Sequence, residues 1–323
     1  MSKTIAITGA TGFVGGETLL DFKDHGHRVI AIDNRPPPEH LQGIADQQVV
    51  ASYATEDAFR AIEAAGVDAI VHCGATSLVG PSVKNPSFYY ENNVIGTKRL
   101  MDFVVEHMPS VRFIFSSSSS VYGEPVMVPI SEVDPPQPLS PYGESKLMTD
   151  MMLASYHTAY NFDYVSFRYF NAVGADPQGR HGQEPRATHI IARVLEGIRD
   201  GGEFTLFGNT YPTPDGSCVR DHVHVADLAR AHRMALESDF EGGVYNAGIG
   251  HGVSNLEVIK MAEEVTGQKL NYKIGEARPG DPSQLTAVND RLVNQGWAAE
   301  YTLHDMITHA WSWYMKSHNQ VAA

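Results

Sequence analysis

The sequence predicts an α/β protein whose core is a doubly wound parallel sheet, joined to a smaller C-terminal α/β lobe. Apolar segments of strand length alternate with helical segments along the N-terminal part of the chain, which is typical of a parallel sheet covered by helices on both faces. A glycine-rich turn joins the first strand to the first helix, and a run of polar residues directly follows a later strand. Both features are typical of ligand-binding loops at the carboxyl edge of a Rossmann-type sheet.

The first strand, the first helix and the second strand follow from the hydrophobic pattern. Thr4–Thr8 is a short apolar run that predicts a buried strand, and Val14–Lys23 carries its apolar residues at helical spacing. Gly26 is well placed to end that helix. Arg28–Asp33 predicts the second strand. Together these segments predict a strand–turn–helix–strand unit at the N-terminus.

The later elements continue the alternation and then change in character. The predicted elements are strands at Ala69–His72 and Val111–Phe115 and helices at Phe88–Glu106 and Pro141–Tyr160. Farther along, glycine, proline and polar residues become frequent and the elements become shorter. We therefore expect two domains, residues 1–172 and residues 173–323, with part of the second crossing back to the first.

The composition excludes several classes of partner. The 323 residues carry a net charge of −14, and so acidic a surface disfavours nucleic acid and anionic membranes. No apolar run approaches the roughly 20 residues that span a bilayer. The N-terminus runs into the first strand without a signal peptide, so a cytoplasmic location is expected. Cys73 and Cys218 lack the spacing of metal ligands, so no metal site is expected.

The loop after the first strand has the composition of a phosphate-binding turn. Gly9, Gly12 and Gly15 have the spacing Gly-x-x-Gly-x-x-Gly, which lets the backbone approach a pyrophosphate at the positive N-terminus of a helix. Asp33 closes the second strand, where an acidic side chain accepts hydrogen bonds from an adenosine ribose. A carboxylate there repels a 2′-phosphate, so NAD is favoured over NADP, although Arg35 could hold such a phosphate.

A second pattern lies at the start of the last predicted helix. Ser140 and Pro141 suit the N-cap and the first helical position, and Tyr142 and Lys146 lie four residues apart on one helical face. A phenol has an ordinary pKa of about 10, but a lysine ammonium, a cationic nicotinamide and the helix N-terminus would favour the phenolate as a general base. Ser118, at the serine-rich strand end, could share a substrate proton. Taken alone, the spacing also fits an ordinary helix with a packed tyrosine and a solvated lysine.

Together these motifs resemble the extended short-chain dehydrogenases/reductases, and in particular the UDP-glucose 4-epimerase family. The similarity covers nearly the whole chain. Its N-terminal part rests on the glycine loop, the serine run with Val121-Tyr122-Gly123, and Tyr142-x-x-x-Lys146. The segments that carry it in the C-terminal part are Phe167–Asn171, Phe207–Gly216 and Val219–Val225.

The resemblance implies two sets of ligand-binding residues, one for NAD and one for a UDP-sugar. The residues implied to contact NAD are Gly9, Gly12, Phe13, Val14, Asp33, Asn34, Gly74, Asn93, Lys146 and Tyr169. Ser118, Tyr142 and Asn171 would face the sugar or its first phosphate, and Phe207 would lie near the uracil. The residues implied to hold the diphosphate and the ribose are Arg220, Arg278 and Asp281.

Three further positions bear on sugar size and cofactor affinity. Leu285 follows the Asp of the Arg-x-Gly-Asp stretch by four residues, a position that the resemblance implies to be one wall of the sugar pocket. In that family a tyrosine there admits only glucose and galactose, whereas a small residue admits a 2-N-acetyl group. Tyr53 lies in the stretch where many members bind the adenine through an Asp, and Ser77 replaces a frequent lysine. Both departures are expected to change the affinity for the cofactor and to leave the chemical step unaffected.

The activity implied is the 4-epimerisation of UDP-glucose and UDP-galactose by a homodimer. A hydride leaves sugar C4, the 4-keto sugar turns over, and the hydride returns to the other face while NAD stays bound. UDP-N-acetylglucosamine or a UDP-pentose is the alternative substrate class. A nucleotide-sugar dehydratase is disfavoured because no Asp-Glu pair follows Ser118. A non-catalytic NAD-binding regulator is disfavoured because Ser118, Tyr142 and Lys146 are all present.

Overall fold

The computed structural model describes residues 2–184, 189–278 and 281–321, and its largest element is a parallel sheet of seven strands. The strands are β1 (Thr4–Thr8), β2 (Arg28–Asp33), β3 (Gln47–Val50), β4 (Ala69–His72), β5 (Arg112–Ser118), β6 (Tyr164–Tyr169) and β10 (Gly243–Ala247). Their order across the sheet is β3-β2-β1-β4-β5-β6-β10. The order reverses between β1 and β4, which is the switch point of a doubly wound sheet. The predicted fold class is confirmed.

Helices cover both faces of this sheet. Those of the N-terminal part are α1 (Phe13–Asp24), α2 (Glu56–Ala65), α3 (Val79–Lys84), α4 (Pro86–Tyr89), α5 (Thr97–His107) and α6 (Pro141–Tyr160). Side chains alternate between two cores along each strand, so that Ile5 and Ile7 lie in one core and Ala6 in the other. This alternation is why inner strands such as β1, β2 and β4 carry apolar residues on both faces, as their sequences predict.

Two elements differ from the sequence-based prediction. Strand β5 runs on to Ser118, beyond the predicted end at Phe115, because Ser117 and Ser118 pair in register with Arg168 and Tyr169 of β6. Backbone pairing does not require apolar side chains, so polar residues can continue a strand. The predicted helix 88–106 contains a π-helical segment, Tyr90–Gly96, between α4 and α5, and such segments occur frequently at functional sites.

The remaining elements form the C-terminal lobe. Its strands are β7 (Asn171–Val173), β8 (Phe204–Phe207), β9 (Val219–His224), β11 (Gly252–Ser254), β12 (Tyr272–Gly275) and β13 (Gln284–Leu285). The helices that follow α6 are α7 (Ile190–Asp200), α8 (Val225–Glu237), α9 (Asn255–Thr266), α10 (Asp290–Asn294) and α11 (Leu303–Val321). Strand β9 lies between β11 and β13 and also pairs with β7. The division at residue 172 stays a prediction, with β10 supplied to the large sheet from beyond it.

Across the described part of the chain, no helix has both the length and the apolar character needed to cross a membrane.

Candidate active site

The candidate site lies along the carboxyl edge of the large sheet. Strands β1, β4, β5 and β6 end there, followed by Gly9, Gly74, Ser118 and Asn171, respectively, at or just beyond their ends. In doubly wound sheets, ligands bind at this edge, next to the switch point. The topology therefore brings together residues that are widely separated in the sequence.

The glycine loop is shaped by two close backbone approaches. Gly9 has a φ of +68°, and a Cβ atom there would lie 2.7 Å from the Gly74 nitrogen. A Cβ atom at Gly15 would lie 2.1 Å from the Gly9 carbonyl oxygen. Gly12, at the N-cap of α1, has no side chain to accept the free N–H groups of the first turn. Those N–H groups and the helix dipole provide a site for an anion.

Asp33 ties the end of β2 to the glycine loop. Its buried carboxylate accepts hydrogen bonds from the Thr11 N–H, at 3.1 Å, and from the Arg35 N–H, at 3.0 Å. The Arg35 guanidinium donates to the Thr11 hydroxyl at 3.4 Å and lies 3.5 Å from Glu184. Asn34, the neighbouring cofactor candidate, is exposed. The structure thus places an acidic group at the loop and gives Arg35 two acidic neighbours.

Tyr142 and Lys146 lie on the first turns of α6, as predicted from the capping residues. The Ser140 hydroxyl accepts a hydrogen bond from the Gly143 N–H at 3.2 Å, and Pro141 opens the helix. Lys146 is 3% exposed, and its ammonium donates to the Ser116 carbonyl oxygen at 2.6 Å. The lysine nitrogen is 6.0 Å from the centroid of the Tyr142 ring. The alternative interpretation, an ordinary helix with a solvated lysine, is therefore wrong for this chain.

The electrostatics of this pair differ from the sequence-based expectation. Burial raises the pKa of the Tyr142 phenol, while the Ser118 hydroxyl beside it acts in the opposite direction. Burial lowers the pKa of Lys146 to about 8, against the opposing influence of Cys73 and Asp150. The chain alone therefore keeps the phenol protonated at neutral pH. A phenolate at this position needs an additional positive charge, of the kind that a cationic nicotinamide would provide.

Successive serines at the end of β5 hold different partners. The Ser116 hydroxyl lies 2.8 Å from the Tyr169 hydroxyl, and the Ser117 hydroxyl donates to the Asp150 carboxylate at 3.1 Å. Ser118 turns the chain into a 3₁₀ segment, since its hydroxyl accepts from the Ser120 N–H at 3.1 Å. The serine run thus fixes β5 against α6 and leaves Ser118 beside Tyr142.

A buried ion pair behind this arrangement was missed by the sequence reasoning. Asp150, one turn after Lys146, accepts hydrogen bonds from Ser117, from Ser166 at 2.7 Å and from the Arg168 Nε at 3.0 Å. Arg168 also donates to the Tyr122 hydroxyl at 2.8 Å. Asp150 and Arg168 lie on different elements, α6 and β6, so no local pattern in the sequence marks this pair. The network anchors α6 to β5 and β6.

Asn93 and Tyr53 occupy the neighbouring side of the edge. The Asn93 amide donates to the Ser145 hydroxyl and to the Thr76 carbonyl oxygen, each at 3.0 Å, and so links the π-helical segment to α6. Tyr53 is buried, donates its hydroxyl to the Asn92 carbonyl oxygen, and packs against Gly74. Tyr53 is therefore a core residue beneath the loop. The other departure, Ser77, is exposed.

The candidates for the UDP end form a second group in the C-terminal lobe. Arg220 is 9% exposed and donates to the Asp281 carboxylate at 2.5 Å. The Arg278 guanidinium carbon lies 3.9 Å from the centroid of the Phe207 ring. Pro279 and Gly280, between these residues in the sequence, lie outside the described residues.

Strand pairing places two further substrate candidates around β9. Leu285 of β13 is in register with Arg220, and Asn171 of β7 is in register with His222. Leu285 is partly buried and packs against the apolar cluster that contains Val121 and Phe170. It therefore lies beside an arginine of the second group and also contacts the core.

The sheet topology, the glycine loop and the Ser118–Tyr142–Lys146 arrangement define a class of α/β protein that holds a dinucleotide beside a tyrosine–lysine pair. The chain belongs to the NAD dependent epimerase/dehydratase family, whose model matches residues 5–248.

Known relatives match almost the full chain. This chain is 40% identical over 321 residues to a UDP-glucose 4-epimerase of Halalkalibacterium halodurans, and the match covers 96% of this chain and 95% of the relative. A UDP-glucose-4-epimerase of Stenotrophomonas maltophila, crystallised with NAD and formylated UDP-arabinopyranose, matches with a TM-score of 0.93 at 29% identity, covering 98% and 99%. The UDP-glucose 4-epimerase of Brucella ovis in complex with NAD gives 0.91 at 33% identity, covering 96% and 98%. The resemblance inferred from the motifs is confirmed.

Proposed function

We propose that this protein is a UDP-glucose/UDP-galactose 4-epimerase that works with bound NAD. The observation that carries the proposal is the position of Ser118, Tyr142 and buried Lys146 at the sheet edge that also carries the glycine loop. The family and the names of the relatives support this choice of reaction.

The residues around the glycine loop fit NAD. Gly9 and Gly15 let the turn pack closely against Gly74 and against itself, and the N-terminus of α1 that follows from this turn matches a pyrophosphate. Asp33, which is hydrogen-bonded to the glycine loop, would accept hydrogen bonds from an adenosine ribose. Asn93 and Tyr169 lie near Lys146: Asn93 donates to Ser145, its neighbour in the sequence, and the Tyr169 hydroxyl is hydrogen-bonded to Ser116. Bound NAD would supply a reversible hydride acceptor for sugar C4.

Asp33→Ala is expected to weaken NAD binding and to reduce the ratio of the affinity for NAD to the affinity for NADP. A hydrogen bond to a charged group contributes about 1.5–3 kcal/mol, so the loss is roughly 10- to 100-fold in Kd. The variant also frees the Thr11 N–H that Asp33 now holds. Titration of NAD and NADP into both proteins checks this, with Asp57→Ala, which removes an exposed carboxylate of α2, as the control. Tighter binding of NADP by the wild-type protein would show that Arg35 overrides Asp33.

The chain's own contribution to the chemistry is the handling of one proton. Tyr142 would take the proton of the sugar 4-hydroxyl and return it after the sugar has turned over, with the Ser118 hydroxyl sharing it. Lys146, held by the Ser116 carbonyl oxygen, would place a positive charge near the phenol. Acid–base groups of this kind contribute about 10²–10⁴-fold to rate.

The second group would anchor the nucleotide while the sugar rotates. Arg220 and Arg278 present paired donors that match phosphate oxygens, and Asp281 would accept from the ribose. The Phe207 ring, 36% exposed, offers a face on which a uracil can stack. Asn171, on the neighbouring strand, would contact the sugar or its first phosphate.

Sugar size is proposed to depend on Leu285. It is smaller than tyrosine but offers no hydrogen bond to an acetamide, so we expect detectable epimerisation of UDP-N-acetylglucosamine at lower efficiency than UDP-glucose. Overpacking costs about 1–3 kcal/mol, so Leu285→Tyr should reduce the relative kcat/KM for the N-acetyl sugar roughly tenfold, and Leu285→Ser should raise it. An unchanged ratio in Leu285→Tyr would assign Leu285 to the core alone.

Two other functions are less well supported. A dehydratase needs a carboxylate pair for elimination, but Ser119 and Ser120 follow Ser118, and the nearby Asp150 is engaged by Arg168. A non-catalytic regulator has no need of a buried lysine beside a tyrosine and a serine.

We also propose a homodimer formed through the segments Phe88–Glu106 and Tyr142–Tyr160, which lie in α4 to α6. Phe88 of α4 and Met151 of α6 are 55% and 62% exposed, and α4 packs against α6. These helices therefore present exposed apolar residues of the kind found at interfaces. A cytoplasmic location likewise remains a proposal from the sequence.

The test of function is direct. Pure protein is incubated separately with UDP-galactose, UDP-N-acetylgalactosamine and UDP-arabinopyranose, and each 4-epimer is quantified. We expect the fastest conversion with UDP-galactose. Faster conversion of either other sugar would favour the alternative substrate class, and a 4-keto-6-deoxy product would favour a dehydratase.

A further inference from the structure

Helix α1 is bound at both ends by one segment of the C-terminal lobe, residues 176–184, called the strap here. At the C-terminal end of α1, Arg180 donates to both carboxylate oxygens of Asp24, at 2.9 and 2.8 Å. At the N-terminal end, the His181 Nε2 lies 3.0 Å from the Phe13 carbonyl oxygen. The strap therefore spans the length of the helix whose first turn follows the glycine loop.

His181 sits directly against that first turn. A Cβ atom at Gly16 would lie 2.5 Å from the His181 Nε2, so only glycine leaves room for the ring. Because the Phe13 carbonyl can only accept, Nε2 carries the hydrogen and Nδ1 accepts from the His40 Nε2, 3.1 Å away. Burial lowers the pKa of His181 to about 4, so this neutral arrangement holds at physiological pH.

Helix α11 closes the arrangement from outside. The Trp313 ring packs edge-on to His40, with centroids 4.8 Å apart, and its Nε1 donates to the Gln183 carbonyl oxygen of the strap at 3.0 Å. The far end of the strap reaches the glycine loop as well, since Glu184 lies 3.5 Å from Arg35, which donates to the Thr11 hydroxyl.

We propose that His181, held in place by His40 and Trp313, is a positioning residue for the dinucleotide. By fixing the Phe13 carbonyl, it orients the first turn of α1 and hence the N–H groups that would face the pyrophosphate. A preorganised site avoids the cost of ordering the turn when the ligand binds. This inference rests on the NAD site of the proposed function.

The experiment compares NAD affinity, UDP affinity and thermal stability in nucleotide-free protein. His181→Phe keeps a ring but removes both hydrogen bonds. It should raise the Kd for NAD about three- to tenfold, the effect of a typical hydrogen bond. The Kd for UDP should stay unchanged. His181→Gln, whose amide can again donate to Phe13, should recover part of the loss. Trp313→Phe should act in the same direction by a smaller factor.

His27→Phe is the matched control. His27 is also buried and hydrogen-bonded, to Glu237, just beyond the other end of α1, so a purely structural effect should appear there too. NAD affinity unchanged in both His181→Phe and Trp313→Phe, or lowered equally in His27→Phe, would overturn the proposal. Wild-type protein that binds UDP but no NAD would instead overturn the proposed function.

Discussion

Tyr142→Phe is expected to lower turnover of UDP-galactose by at least about 10²-fold, the typical contribution of an acid–base group. The substitution removes the only atom by which this side chain can exchange a proton. The ring stays in place on α6, whose start is fixed by Ser140 and whose first turns are held by Lys146 and Asp150. Fold and NAD affinity should therefore be unchanged, and steady-state rates with a titration of NAD check both.

Tyr160→Phe, at the exposed end of the same helix, removes an identical hydroxyl and should leave turnover at the wild-type level. If Tyr142→Phe folds, binds NAD and still turns over like the wild type, Tyr142 has no role in the proton transfer.

Asp150→Ala is expected to lower the free energy of unfolding by about 3–5 kcal/mol, the cost of breaking a buried ion pair from one side. Arg168 is 6% exposed and would keep its charge without the carboxylate. The hydroxyls of Ser117 and Ser166 would lose their acceptor as well. The loss should thus be as large as that of a large-to-small substitution in the core, about 2–5 kcal/mol.

Urea unfolding measures the effect, with Asp57→Ala as the comparison. Asp57 pairs with Arg60 on the surface, at side-chain exposures of 74% and 72%, and such pairs contribute about 0–1 kcal/mol. Replacing both partners, in Asp150→Leu/Arg168→Met, should cost less than Asp150→Ala alone. A loss for Asp150→Ala no larger than that of Asp57→Ala would show that the network does not stabilise the fold.

Features that depend on local sequence were predictable. The bounds of β1, β2, β4 and α6 agree with the prediction, because a buried apolar run or a Ser-Pro start is decided within a few residues. The motifs likewise led to the family, which the comparisons confirm.

Features that depend on contacts between distant residues were not predictable. The pairing of His181 with Phe13 joins positions 168 residues apart, and no local pattern marks it. The Asp150–Arg168 pair needs β6 and α6 to be adjacent. The pKa of Tyr142 is raised because α6 is buried against β5, and burial follows from the assembled fold.

The most direct test of the central claim is the fate of the hydrogen at sugar C4. We predict that UDP-galactose deuterated at C4 gives UDP-glucose that keeps the deuterium at C4, and that unlabelled substrate in heavy water takes up none there. Hydride transfer within a closed site retains the hydrogen, whereas removal of a C4 proton by a base exchanges it with water. Wash-out of the label at C4 during conversion would contradict hydride transfer and, with it, the role given to Tyr142.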